Sequence, residues 1–517
     1  MSDGDRLPKG WITAKLREVT IPGGTRNPQR EGEGTFRYVD IDALDNTRQQ
    51  ITSPKLLAKS EAPSRARMSL LSGDVIFSLV RPYLKNIAIV PPELDHEVAS
   101  TAYCVLRPAT DLASNFLFHQ LLQDSFIQSV PTYGSSPPSA RDDEFLDLSV
   151  RVAPVPEQRR IVAKIEELFS DLDAGVAALE RAKARLKRYR AAVLKAAVEG
   201  KLTEAWRKKK RPKEPGQQLL DRILRERRRR WEEEQVAAYD KAGKKPRANW
   251  RQRYKGPVGP DDTNLPALPE GWCWAALDQL LVYLRNGYFQ SPSGAAEGTP
   301  ILRINAVRSM SVNLSEVRFL DSIKGDANGY FVEDGDLLFT RYNGSVDLLG
   351  VAGMVRGCTE KILHPDKLIR VRVAVGQPLS SFVEIAANGG VSRSHMVRRA
   401  RTTAGQTGIS GTDVREMPVP LPSLDEQAEI AMTVAERLSQ IGVAERLIDT
   451  NLKRSTRLRQ SILKRGFEGK LVPQDPTDEP AAKLLERIAA ECRRPLGLAR
   501  AGKKTKNASR KSRPEGP

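Results

Sequence analysis

EQRRIVAKIEELFSDLDAGVAALERAKARLKRYRAAVLKAAVEGKL, residues Glu157–Leu202, returns later in the chain as EQAEIAMTVAERLSQIGVAERLIDTNLKRSTRLRQSILKRGFEGKL, residues Glu426–Leu471. A single shift of 269 positions superposes the two without a gap, and 14 of the 46 positions are identical. Unrelated residues of average usage would agree at ~6% of positions, so the two stretches are copies. In the first, Ile161, Ile165, Leu168, Leu172, Gly175, Leu179, Ala182, Leu186, Tyr189, Val193 and Ala196 alternate steps of four and three. That 3.5-residue period is the seam of a coiled coil. In the second, Ile430, Val434, Ile441, Ala444, Ile448, Leu458 and Ile462 hold the same places, interrupted by Arg437, Asn451 and Ser455. A stripe of this kind needs a partner, and the other copy is the obvious one. At ~1.5 Å per residue each helix would run ~65 Å. Gly200 and Gly469 close the helices, as suits a residue that accepts the left-handed conformation beyond a C-terminus.

The repeat spreads outward from the helices. LPKGW (Leu7–Trp11) is matched by LPEGW (Leu268–Trp272), and GDVIF (Gly73–Phe77) by GDLLF (Gly335–Phe339). Each Gly-Asp pair before an apolar run reads as a turn feeding a buried strand. Pro-rich extended segments, Val150–Gln158 and Glu416–Gln427, end where the helices begin. The two lobes so bounded have the length of ordinary domains. Strand-like runs (Phe36–Ile41, Val75–Val80, Ile87–Val90, Ile301–Ile304, Ile369–Val375) mix in them with a helical segment at Asn115–Val130. The fold class is therefore α+β, with two pseudo-repeated lobes separated by two long antiparallel coiled-coil helices. LLDRILRERRRRWEEE (Leu219–Glu234), after the first helix, answers LLERIAAECRR (Leu484–Arg494), after the second. Residues 241–266, rich in Lys, Gly and Pro, read as a flexible connector, and the tail from Gly497 as disordered.

The 517 residues carry a net charge of +19. Residues 203–255 contribute +11 and residues 493–517 contribute +8, so the rest of the chain is neutral. The basicity belongs to a linker and a tail and suggests a polyanionic partner. Cys104, Cys273, Cys358 and Cys492 stand far apart, which indicates neither a zinc site nor a disulfide framework. No apolar run is long enough for a membrane span, so a cytoplasmic protein without membrane contact is expected. The chain has no phosphate-binding GxxxxGK[ST], no HExxH and no GxSxG. SPPS (Ser136–Ser139) ends in Ser139 where the base-flipping loop of amino-methyltransferases ends in an aromatic, and it reads as a turn.

Two distant copies of one lobe, each opened by LPxGW, each carrying GD-x-x-F, each followed by a P-x-x-EQ helix start and an EGKL helix end, resemble the specificity subunit of type I restriction–modification systems. The motifs are weak singly; their duplication in one order over nearly the whole chain is specific. The resemblance implies target recognition domains at 1–155 and 267–424. It implies conserved helices at 156–203 and 425–472, a basic linker at 204–266, and a short helix with a basic tail at 473–517. It implies a non-catalytic subunit that binds double-stranded DNA, with each lobe reading one half of a split site. The helices would set the spacing and dock methyltransferase subunits, two of them, with restriction–translocase subunits joining the complex. No cofactor is expected in this chain; S-adenosylmethionine, ATP and Mg would belong to the partner subunits. Competing readings are a fused methyltransferase or nuclease, a protein-binding scaffold with duplicated lobes, and the recognition part of another defence system.

Base edges are read by Arg, Lys, Asn, Gln, Ser and Thr, with phosphates fixing register. Such residues gather in Gly/Pro-punctuated loops. In the first lobe the candidates are Thr25, Arg26 and Asn27, then Arg81, Tyr83 and Lys85, then Ser135 and Arg141. In the second they are Tyr288 and Gln290, Arg303 and Asn305, Arg341 and Asn343, Arg393, and Gln406 and Thr407. LVRPYLKN (Leu79–Asn86) faces RYNGSVDLLG (Arg341–Gly350) in the comparison of lobes, and the difference predicts two different half-sites.

Overall fold

The computed structural model describes residues 7–109, 112–246, 248–292, 297–403 and 406–493. The tail expected to be disordered lies outside them, as do Ser293, Ala404 and Gly405 of the candidate loops. Four helices organise the chain: α1 (Val155–Val198), α2 (Gly216–Lys241), α3 (Leu424–Phe467) and α4 (Ala481–Arg493). It divides into two compact units, Met1–Leu179 with Thr450–Pro517, and Glu180–Asp449. Each long helix is thus shared, its first half belonging to one unit and its second half to the other.

The first unit gathers a lobe, the start of α1, the end of α3, and α4. Its core joins Trp11, Val75, Phe77 and Phe116 of the lobe to Ile161, Ile165, Ile462, Leu463, Phe467, Leu484 and Ile488 of the helices. The second unit repeats the plan with exchanged parts. Its core joins Leu337, Phe339, Ile369, Val371 and Phe382 to Val193, Leu194, Ala197 and Val198 at the end of α1. Leu219, Leu220 and Ile223 of α2, and Ile430 and Val434 at the start of α3, complete it.

Several repeated motifs meet in three dimensions. The Trp11 indole donates to the Glu157 carboxylate at 3.0 Å, and Trp272 donates to Glu426 at 2.9 Å. A buried indole N–H needs an acceptor, and a buried carboxylate needs donors; this is why LPxGW and the EQ helix start occur together. Glu426 also accepts from Thr203 and from Arg207. The glutamine beside each carboxylate caps the strand that leads into the helix, Gln158 on the Ala153 carbonyl and Gln427 on that of Pro422. Gly200 and Gly469 have φ of 68° and 66°. Lys201 and Lys470 donate their backbone N–H five residues back, completing the helix ends. A side chain on Gly469 would run into Pro8, and one on Gly200 into Pro269. The EGKL end of each long helix therefore packs on the LPxGW of the other lobe, not of the lobe that leads directly into that helix.

Both lobes are built on a four-stranded antiparallel sheet of the same order. In the first it runs Thr20–Pro22, Tyr103–Pro108, Val75–Ser78, Ile87–Ile89; in the second Leu281–Asn286, Leu368–Val373, Leu337–Thr340, Ala352–Met354. The Asp of each Gly-Asp turn is buried beneath the sheet and held by arginine. Asp74 takes two hydrogen bonds from Arg107, at 2.9 and 2.8 Å; Asp336 takes two from Arg372, at 2.8 and 3.1 Å, with Arg370 at 3.4 Å. A two-strand ladder closes each lobe at its neck, Ile12–Lys15 with Ser149–Val152 and Cys273–Ala276 with Pro418–Leu421. Beyond the shared sheet both lobes carry an antiparallel pair, Thr35–Val39 with Lys55–Ala58 and Thr299–Leu302 with Val317–Leu320, that encloses a two-residue hairpin, Leu44–Asp45 with Gln50–Ile51 and Val307–Arg308 with Ser311–Val312. The first lobe widens its pair to four strands with Val98–Ser100 and Ala66–Ser69, and the second adds a three-stranded sheet of Tyr342–Asn343, Gln406–Gly408 and Arg401–Thr403.

Within each unit the half-helices run antiparallel. In the first, Arg459 lies over the Phe169 ring and pairs with Asp173. In the second, Lys183 meets Asp449 at 2.7 Å and Arg190 meets Glu445 at 2.8 Å. The seam departs from the expected one. Gly175 and Tyr189 are exposed, and Val176 and Arg190 turn inward in their place. Leu458 is 46% exposed, and Arg459 occupies the inner position. A nearly straight helix of 3.6 residues per turn drifts ~20° per heptad from a strict 3.5 repeat, so the inward face walks off the heptad positions. The connector also differs from expectation. Trp231 of α2 stacks on Trp250 with centroids 5.8 Å apart and touches Tyr254, Val258 N donates to Asp278, and the Trp274 indole donates to the Pro266 carbonyl. The Arg227–Arg230 run is spent on Asp278, Glu226, Glu232 and Glu233.

Candidate nucleic-acid interface

The candidates Thr25–Asn27, Arg81–Lys85, Tyr288–Gln290 and Arg341 follow strands of the shared sheet, whereas Ser135 and Arg141 follow the helix Asp124–Ser129, Arg303 and Asn305 follow the strand Thr299–Leu302, and Arg393, expected in a loop, lies within the helix Gly390–Arg398. In the first unit, Thr25 bridges to Met68, and the neighbouring Arg26 is locked by both oxygens of Glu31 (2.7 Å each) and the His96 carbonyl. Asn27 leads into the turn Pro28–Arg30, its side-chain oxygen buried without a partner. The turn Pro82–Leu84 is bracketed by Arg81 and Lys85, both left-handed at φ of 51° and 53°. Non-glycine residues pay for that conformation, and here two of them throw the Pro82–Leu84 turn outward, with Tyr83 59% exposed. Lys85 is fixed by Asp124 at 2.6 Å and the Leu122 carbonyl. Arg81 donates its N–H to the Pro138 carbonyl, and Val80 bridges to Ser139, which itself pairs with Tyr133. The structure thereby joins Arg81 and Tyr83 to the loop carrying exposed Ser135, and to Arg141, whose guanidinium lies 4.4 Å over the Tyr133 ring. The Thr25–Asn27 loop attaches instead to strand Ala66–Ser69.

In the second unit, Arg341, Asn343, Arg393, Gln406 and Thr407 come together around the three-stranded sheet. Asn343 faces Thr407 across the ladder, and the Thr407 and Thr402 hydroxyls are 3.0 Å apart. The Arg341 guanidinium lies over Tyr342 at 4.8 Å. Arg393 is turned inward, donating to the carbonyls of Val346, Asp347 and Leu349; burial pushes its pKa down. Arg303 and Asn305 share Glu316, at 3.6 and 3.1 Å. Tyr288 is buried, its hydroxyl bonded to the Lys324 backbone and to Gln290, which reaches the Ser322 carbonyl at 2.8 Å. Between those two pinned residues stands Phe289, 89% exposed. A search for polar base readers passes over it; the signal was an aromatic pair, GYF, inside a polar loop.

A second repeated feature lies away from the loops. Where the end of a long helix meets the lobe helices, each unit has a crevice. That of the second unit, about 1080 Å³, is lined by Ala191, Lys195 and Glu199; that of the first, about 580 Å³, by Gln460, Lys464 and Glu468. These are the same positions of the repeat. No helix among the described residues is long and apolar enough to cross a membrane.

Duplicated lobes on one frame, with unlike loops and shared helices, define a protein of two repeated units. No protein-family model matches the chain. It is 30% identical, over 99% of its own length and 100% of the relative's, to the specificity subunit of the type I restriction enzyme EcoKI of Escherichia coli K12. It is 26% identical, over 94% and 96%, to the StySPI specificity subunit of Salmonella potsdam. A chain solved in work on complex assembly and conformational transition of the type I restriction–modification system covers 90% of this chain and 99% of its own length. Its TM-score is 0.64 and its identity 24%, a likeness of fold. The chain belongs to the specificity subunits of type I restriction enzymes, and its role is DNA recognition.

Proposed function

We propose that each unit reads one half of a bipartite DNA site, and that this chain does so without catalysing any step. The observation that carries the reading is the contrast between frame and loops. Sheet order, the Asp74–Arg107 and Asp336–Arg372 pairs and the two Trp–Glu clasps repeat, whereas the tips differ: the second lobe forms a three-stranded sheet of Tyr342–Asn343, Gln406–Gly408 and Arg401–Thr403 where the first has single bridges, Val80–Ser139 and Tyr133–Ser139, beside its Pro82–Leu84 turn. A frame kept twice with different tips suits two different half-sites. Base contacts in the first unit centre on Arg81, Tyr83, Ser135 and Arg141. In the second they centre on Arg341, Asn343, Gln406 and Thr407. Arg26, Lys85, Tyr288, Gln290 and Arg393 hold loop shape through the bonds described above, and Thr25, Asn27, Arg303 and Asn305 flank the readers.

The repeated parts suit repeated partners. Lys195 and Glu199, with Lys464 and Glu468, present one chemistry twice, and Met432 and Val443 stand exposed on α3. The relatives are named as subunits of restriction enzymes; two methyltransferase subunits would dock here, with restriction–translocase subunits beyond them. S-adenosylmethionine, ATP and Mg would be bound by those partners. The test is lobe exchange. Replacing residues 268–424 with the matching lobe of a relative should change one half of the sequence modified by the reconstituted complex and leave the other half intact. A change in both halves, or methylation by this chain alone, would refute the proposal.

A further inference from the structure

We propose that Phe289 is an apolar contact to the bases of the half-site read by the second unit; this rests on the DNA-reading role proposed above. The argument begins with the backbone on either side. Gly287 donates its N–H to the Leu368 carbonyl, and any side chain there would collide with the carbonyl of Pro365. Tyr288 takes a backbone bond from its N–H to the His364 carbonyl at 2.8 Å and gives its own carbonyl to Asp366 N at 3.1 Å. Its ring is buried edge-on against Tyr330, with centroids 5.3 Å apart. Gln290 is tied to Ser322 and Lys324. Phe289 is therefore flanked by residues bonded to the lobe, and its ring is exposed to solvent.

An exposed phenylalanine costs little by itself, since much of any protein surface is apolar. A phenylalanine presented between two residues bonded to the lobe is different, because those bonds hold the loop backbone that carries it outward. Part of the ordering cost of presenting it is then met before any partner arrives. Covering such a ring takes its apolar surface out of water and favours the complex. The chemistry next to it points to nucleic acid. At the foot of the loop lies an open hollow of about 510 Å³ lined by Arg285, Asn286, Thr412 and Arg415. Arg415 is paired with Asp278 at 2.6 Å and the Arg285 guanidinium lies 3.9 Å over the Tyr330 ring, so the exposed amide of Asn286 and hydroxyl of Thr412 are the groups open to phosphates and base edges. An apolar ring on the same loop suits a thymine methyl or a base step. The corresponding loop of the first unit carries Arg26 locked to Glu31, so the apolar contact belongs to one half-site.

The experiment uses the full chain in complex with its methyltransferase subunits, on duplexes carrying the site identified by sequencing modified bases. Phe289→Ala should weaken binding to the specific duplex roughly tenfold to hundredfold, within the range of good base contacts, with binding to unrelated duplex and the salt dependence unchanged. Phe289→Leu should restore most of the loss. Replacing thymines by uracil, or placing an abasic position, in the second half-site should cost wild type affinity and cost Phe289→Ala little; the same changes in the first half-site should cost both alike. Equal affinity and selectivity of wild type and Phe289→Ala overturns the inference and leaves the DNA-reading role standing. Loss of methyltransferase binding in Phe289→Ala with no change in base preference makes the ring a protein contact and also overturns it. A wild-type complex with no sequence preference overturns both readings.

Discussion

Among single residues, two histidines carry a pH signature that neither motif nor charge count revealed. His119 is buried between Phe118 and Phe169, its Nδ1 without a partner and its Nε2 4.0 Å from Glu166. Burial, and then the charge of Arg459, push its pKa down to about 4. His364, buried in the second unit with Nδ1 2.6 Å from the Tyr330 carbonyl, is pushed to about 4, chiefly by burial. In the unfolded chain both titrate near ~6.5. Between pH 6.5 and 4 the unfolded chain binds protons that the native rings refuse, so their contribution is complete above pH 6.5 and declines as pH falls toward 4. From pH 7 to pH 5 the loss should be about 2 kcal/mol for each ring. His119→Phe keeps the aromatic packing and removes the titration, so its urea midpoint should fall less steeply with acidity than that of wild type. Equal slopes would show that His119 is protonated in the native state. At this scale sequence marked Arg81, Tyr83, Arg341 and Asn343 as candidates because polar groups cluster in punctuated loops, and the structure places the first two at the Pro82–Leu84 turn and the other two at the short strand Tyr342–Asn343. Sequence could not tell that Arg26 and Arg393 are consumed by Glu31 and by carbonyls, because those partners are 5 and 44 to 47 residues away and met only by folding.

Among elements, the long helices show how far a period can be trusted. Both run 44 residues, and their ends were read from Pro-rich entries and glycine exits. The core positions Ile161, Ile165, Val193, Ile430, Val434, Ile441 and Ile462 are buried as the heptads required. Between them Leu172, Leu179, Leu186 and Ile448 keep the heptad, and the seam slips by one residue only at Gly175, Tyr189 and Leu458, where Val176, Arg190 and Arg459 take the inward position. The contrast can be measured. Ile462→Ala should cost ~2–5 kcal/mol, as for other buried isoleucines, whereas Leu458→Ala should stay within ~0.5 kcal/mol, as for surface substitutions. Chemical denaturation of the two variants decides it, and a comparable loss for both would restore the heptad seam. The strands were legible where apolar runs were short and bounded, as at Val75–Ser78 and Leu368–Val373. The expected helix at Asn115–Val130 is two, Ser114–Leu121 and Asp124–Ser129. The second begins afresh at Asp124, whose carboxylate takes the Lys85 ammonium.

At the scale of the whole molecule, the chain order is lobe, helix, lobe, helix, and each unit combines its lobe with the start of the helix that follows it and the end of the other helix. Identity between copies could not reveal this, because a motif that occurs twice fits either partner equally well. The exchange changes how the proposed spacing role must be tested. Four residues placed in α1 between Glu180 and Arg181 would add ~6 Å and ~40° to that helix, since four steps of ~100° exceed one turn. Every half-helix is paired with the opposite helix inside its own unit, through contacts such as Lys183–Asp449 and Arg459–Asp173. An insert in α1 alone would set those pairings against each other, so α3 needs a matching insert between Asp449 and Thr450. With both in place, the added turn of ~40° nearly equals the ~34–36° of one base pair of B-DNA. Rotation governs the outcome, because a reader facing the wrong side of the duplex loses its base contacts, whereas a few ångströms of excess rise are absorbed by DNA bending at a cost of ~1–6 kcal/mol. The doubly extended chain, in complex with its methyltransferase subunits, should therefore recognise the same two half-sites separated by one further base pair. Binding to duplexes with graded spacers measures this directly, and an unchanged optimum would mean that the helices do not set the distance between half-sites.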